Sequence, residues 1–93
     1  MVIGFLRVDL LLPGCNSLKD KRSVLKRTIA HLRKTFNVGV GEIGDQDIWR
    51  RCELGIVTIA TRHDTVERTL DDVVHACERE RDLQVLEVAR ELL

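Results

Sequence analysis

Val2-Ile3-Gly4-Phe5-Leu6-Arg7-Val8-Asp9-Leu10-Leu11-Leu12 decides the fold. Gly4, Leu6, Val8, Leu10 and Leu12 fall on one side of an extended chain, and Ile3, Phe5, Arg7, Asp9 and Leu11 fall on the other. Only the second set carries charge, so the even side is the one expected to be buried. Pro13-Gly14 then ends the strand with residues that suit a turn.

Outward from this strand the pattern changes period. Ser17 is placed to cap a helix, with Asp20 three residues on in an approximate capping box. Leu18, Leu25, Ile29, Leu32 and Phe36 follow at helical spacing and form a narrow apolar stripe. Asn37 stops the helix before a second strand, Val38 to Ile43, whose Gly39 and Gly41 suit a sheet edge or a close approach. Gly44-Asp45-Gln46-Asp47 reads as a hairpin loop. The third strand, Trp49 to Thr61, is apolar on both faces over Leu54 to Ala60, as a central strand should be. Asp64 with Glu67 reads as a second capping box. Val66, Leu70, Val73 and Cys77 then make a second amphipathic helix ending near Arg79. Leu83 to Leu92 completes the pattern as a strand, although its Leu, Glu, Ala and Arg content also permits a helix. The order is βαββαβ. Two right-handed crossovers place both helices on one face of a four-stranded antiparallel sheet, the ferredoxin-like arrangement. No linker or repeat interrupts the chain, so residues 1–93 are expected to form one domain.

Seven of the fifteen Lys and Arg residues lie between Ser17 and Phe36, where Asp20 is the lone acid. The rest of the chain holds eight basic against fourteen acidic residues, so a molecule of zero formal charge is electrically divided. At about 100° per residue, Arg22, Arg33, Lys26, Lys19, Lys34 and Arg27 follow one another around a flank of the first helix. A solvated face is the plainer account of such an arc. The missing i,i+4 Glu–Lys pairs weigh against it and favour an anionic partner. Lys19, Lys26, Arg27, Arg33 and Lys34 are therefore the candidate nucleic-acid contacts. Arg22 borders the apolar stripe, and a half-buried position paired with Glu42 or Asp9 is the reading preferred for it. Trp49, with Arg50 and Arg51 beside it, suits either stacking on a base or closing one end of the core, and the second is preferred.

Catalytic signatures are missing. There is no GxSxG, HExxH, P-loop or GxGxxG pattern, and an enzyme is not expected. The single Trp, two Phe and absent Tyr leave the open sheet face with Phe5 alone as a stacking aromatic, which argues against an RNA-recognition motif. That face, with Ile3, Phe5 and Leu11, suits a homodimer or partner surface instead. Cys15, Cys52 and Cys77 are widely spaced and match no metal-ligand pattern, so reduced, packed thiols are expected, with no metal or cofactor. The apolar runs are too short to cross a bilayer and no secretion signal is legible, which points to no membrane association and to cytoplasmic residence.

Two stretches carry a family resemblance. Ser17-Leu18-Lys19-Asp20-Lys21-Arg22-Ser23-Val24-Leu25-Lys26 resembles the YlxP-like family of small uncharacterised bacterial proteins. So do Asn37-Val38, Glu42, Gln46-Asp47-Ile48-Trp49-Arg50-Arg51 and Leu54-Gly55-Ile56. Asn16, where that family would have His, and Gly44, where an acid is usual, depart from it. The resemblance implies a ferredoxin-like fold and a link to RNA or the ribosome for members encoded beside transcription and translation factors. It brings no catalytic or binding residues with it.

Overall fold

The chain runs β1 (Val2–Leu11), α1 (Leu18–Thr35), β2 (Gly39–Gly44), β3 (Arg51–Ala60), α2 (His63–Arg79) and β4 (Gln84–Leu92) in a computed structural model that describes residues 1–93. The strands form one sheet in the order β2-β3-β1-β4, every pair antiparallel. Both helices cover one face, and the fold is the expected ferredoxin-like sandwich. No helix is long and apolar enough to cross a membrane.

The alternation of β1 holds at every position. Val2, Leu6, Val8 and Leu10 are buried under the helices, while Ile3, Phe5, Arg7, Asp9 and Leu11 are only half-covered on the other side. Pairing of Leu6 with Ile56 and Val8 with Leu54 continues the buried rows into β3. Helix α2 closes over them with Val66, Leu70, Val73 and Cys77, the four residues its spacing singles out. All three cysteines are free and buried, packing as small apolar groups. Burial pushes the Cys77 thiol up to about 11, so it stays uncharged.

Residues 84–92 form a strand despite their helix-favouring composition. Pairing along β1, from Leu11–Gln84 to Gly4–Leu92, outweighs local propensity. A bulge opposite Asp9 and Leu10 interrupts that register. Arg90 reaches from β4 to Glu67 (2.9 Å) and Asp71 (2.8 Å) of α2 and ties the edge strand to the helix layer.

The second capping box does not form. Helix α2 begins at His63 with Arg62 as its cap residue, and no side chain bonds the cap. Asp64 therefore lies inside the first turn, and the Arg62 guanidinium grips its carboxylate with two 3.0 Å bonds. That grip holds the Asp64 carboxyl below its usual range. Glu67, the other half of the expected box, is committed to Arg90.

Candidate functional site

Helix α1 starts as its sequence indicates. Ser17 Oγ accepts from the Asp20 backbone N–H at 3.0 Å, and the Asp20 carboxylate accepts from the Asn16 N–H at 3.0 Å. The face it buries, however, is rotated about 50° from the apolar stripe, at 100° per residue. Its buried residues are Lys21, Leu25, Thr28 and Leu32, while Leu18, Ile29 and Phe36 sit at the margin.

That rotation reassigns two cations. Arg22 is exposed and pairs with neither Glu42 nor Asp9, contrary to the reading from sequence. Its neighbour Lys21 is the buried one, only 2% exposed. Lys21 Nζ donates to the carbonyls of Asp45 (2.5 Å) and Ile48 (2.8 Å) and lies 2.8 Å from Glu42 Oε2. The two carbonyls take hydrogen bonds from the ammonium, and the Glu42 carboxylate beside it carries the balancing charge. Cys52 is fully buried beside this pair; burial, then the Glu42 charge, push its thiol up to about 12. The node thus contains one cation, one anion and a neutral thiol. Its effect is to fasten the β2–β3 loop to α1.

The five candidate contact residues all lie on exposed parts of α1, but they are not equivalent. Lys19, Lys26 and Lys34 have no carboxylate partner. Arg27 pairs with Asp82 in the α2–β4 connection, with both side chains about half exposed. Such a pair is weak and exchangeable in water. Arg33 Nη2 donates to the Val40 carbonyl at 2.8 Å and thereby shields part of the β2 edge while keeping its charge. Arg7, Lys21, Arg27, Arg62 and Arg90 are the basic residues engaged in ion pairs, so most of the unneutralised charge on any one element belongs to α1.

Trp49 does not close the core. Strand β3 begins only at Arg51, and Trp49 stands in the preceding loop with half its surface exposed, next to an equally exposed Ile48. The backbone on either side of the indole is pinned. Lys21 holds the Ile48 carbonyl, and the Arg50 carbonyl accepts from the Leu12 N–H at 2.8 Å. The Arg50 side chain bonds the Cys15 carbonyl (3.0 Å) and Asn16 Oδ1 (2.9 Å), so the loop also leans on the entry to α1. Asp45 takes a positive φ of 60° to make the turn. Arg51 starts β3 and is exposed.

On the sheet face away from the helices, charge and apolar surface separate. Arg7 sits 3.2 Å from Asp9 and 3.9 Å from Glu53 at one end. At the other end Ile3, Val57 and Ile59 line a groove of about 450 Å³ with Asn37, Val38, Gly39 and Thr58. Phe5 and Ile43 meet above Gly55, where their side-chain atoms lie 3.4 Å and 3.0 Å from the place a Cβ would occupy. Val57, Ile43 and Ile59 keep between 46% and 50% of their surface exposed.

Comparison with known proteins agrees with this architecture. A de novo designed protein with a ferredoxin fold, LFR1 1, superposes with a TM-score of 0.54 at 14% identity, covering 99% of this chain and 85% of that one. A cofactor-independent oxygenase from Streptomyces nogalater, SnoaB, gives 0.50 at 15% identity, covering 99% and 90%. At such identities the likeness concerns the fold alone. By sequence, the chain is 37% identical over 73 residues to the uncharacterized protein YlxP of Bacillus subtilis, which spans 78% of this chain and 79% of that protein. Residues 3–90 also match a family model described as "Protein of unknown function (DUF503)", and the chain belongs to that family.

Proposed function

We propose that this protein is a non-enzymatic RNA-binding accessory of the ribosome or of translation, and that α1 grips the phosphate backbone. The observation that carries this reading is the exposure of Lys19, Lys26 and Lys34 on one rigid helix with no carboxylate to neutralise them. Point charges at helical spacing suit a phosphate chain better than base edges, so binding is expected with little sequence preference. Arg33 adds its charge from the β2 side. Arg27 joins when it exchanges Asp82 for a phosphate.

Salt dependence provides the first test. With about four phosphates neutralised, log K should fall against log salt with a slope of roughly −3 to −4. The combined substitution Lys19→Glu, Lys26→Glu and Lys34→Glu should abolish binding and leave the circular dichroism spectrum unchanged, since none of the three is buried. An unchanged affinity in that variant would reduce the arc to a solvated face.

A second reading, a homodimeric interaction module, is favoured by the apolar end of the open sheet face. Pairing two such ends would bury Ile3, Phe5, Val57 and Ile59. Sedimentation velocity at tens of micromolar should then show a dimer that Val57→Glu converts to monomer. A monomer throughout would remove this reading and leave the helix reading untouched.

A further inference from the structure

We propose that Trp49 is a base-stacking residue, and that the nucleic acid held by α1 is therefore single-stranded. This inference rests on the RNA reading of α1 and adds to it the conformation of the ligand. Three observations lead to it. Trp49 and Ile48 project into solvent, each about half exposed, although the indole is the largest apolar group in the chain. The backbone flanking the indole is held by the Ile48 and Arg50 carbonyls, so the ring is presented on a fixed platform rather than a loose tip. Both tethers lead to α1: Lys21 is part of its first turns, between Lys19 and Arg22, and Arg50 bonds Asn16 just before the helix.

Charge divides the labour. The loop carries Asp45 and Asp47, which repel phosphate, while the adjoining helix carries the unpaired cations. A strand lying along α1 would put its backbone on Lys19, Arg22 and Lys26 and turn its bases toward the loop. There Asp47, Ile48, Trp49 and Arg50 line a hollow of about 430 Å³. Duplex RNA cannot use the ring, because its bases are already stacked on one another. Two apolar side chains are also too little for a protein partner, which buries about 800 Å² on each side, whereas one indole suffices for one base.

The chain has one Trp and no Tyr, so its intrinsic emission reports on Trp49 alone. Fluorescently labelled oligoadenylate and a duplex RNA of equal length serve as probes, with anisotropy reading binding and tryptophan emission reading stacking. Oligoadenylate should bind and quench the emission. Trp49→Ala should weaken its binding about 5- to 150-fold, as expected for losing one stacked base, with the salt slope unchanged. Trp49→Phe should recover most of the loss. The duplex should bind without quenching and with equal affinity for the Trp49→Ala protein. Oligoadenylate binding with no quenching and no loss in Trp49→Ala overturns the stacking role and leaves the helix reading standing. Failure of both RNAs to bind at low salt overturns both.

Discussion

Replacing Lys21 by methionine should lower the stability of the protein by about 3 kcal/mol, the lower end of the cost of breaking a buried ion pair. Methionine preserves most of the apolar stem, so little packing is lost. What disappears is the ammonium that satisfies the Asp45 and Ile48 carbonyls and balances Glu42. The lower end applies because the Glu42 side chain keeps 23% of its surface in solvent and can rehydrate in part. For a domain of this size the melting temperature should fall by roughly 12–24 °C, at 4–8 °C per kcal/mol. Glu42→Gln should cost less, since an amide oxygen still accepts from Nζ. A double-mutant cycle over the two positions should return a coupling of at least about 0.5 kcal/mol, the range found for directly contacting residues. A loss below about 1 kcal/mol for Lys21→Met would mean that the loop carbonyls reach water and that the node holds nothing in place.

Gly4→Val should be nearly as damaging, by about 3 kcal/mol, for the opposite reason of overfilling. A Cβ at Gly4 would stand 2.4 Å from Val66 Cγ1 and 3.1 Å from Leu70 Cδ1, both on the buried face of α2. Val66 is β-branched and fully buried, so it cannot swing away as a long side chain would. The helix must lift instead, and the buried row from Leu6 to Leu10 would lose contact with it. Gly4→Ala should already cost about 1–2 kcal/mol, and Val66→Ala in the same chain should return part of that loss. Urea denaturation resolves these differences as shifts in midpoint at constant slope. A Gly4→Ala protein as stable as the parent would show that α2 is free to slide over β1.

The difference between what could be read beforehand and what could not follows the sources of order. Strand β1 and helix α2 are legible because each buries a continuous apolar row, and period alone identifies the residues. Helix α1 is legible in extent but not in rotation. Its buried face includes Thr28 and Lys21, whose aliphatic stems pack while their polar atoms do not count toward an apolar stripe. The interval of seven between Leu18 and Leu25 leaves room on the buried side for a residue at position 21 or 22. Choosing Lys21 over Arg22 to fill it requires knowing that three oxygens wait below, two of them main-chain carbonyls that leave no trace in composition. Trp49 departs from its expected place for a related reason: a large aromatic is expected inside unless something else fastens its loop, and the fastening is Lys21. The exposed placement of the basic arc was visible from sequence. The diversion of Arg27 to Asp82 and of Arg33 to Val40 depends on contacts from distant parts of the chain.

The position of β1 between β3 and β4 has a consequence for how the protein is made. β1 leaves the ribosome before the other three strands of the sheet and finds its hydrogen-bonding partners only at residues 51–60 and 84–92. Until β3 has emerged, the apolar row of Val2, Leu6, Val8 and Leu10 has nothing to pair with. The β2–β3 hairpin, by contrast, closes locally as soon as β3 has emerged. Synthesis therefore leaves a sticky strand without partners until β3 has emerged, and collapse around β1 waits on loop closures that are entropically slow. A nascent chain of this order is a natural client for chaperones that hold extended apolar segments, and fusion of a bulky partner behind β4 should matter less to its folding than any delay in releasing β3.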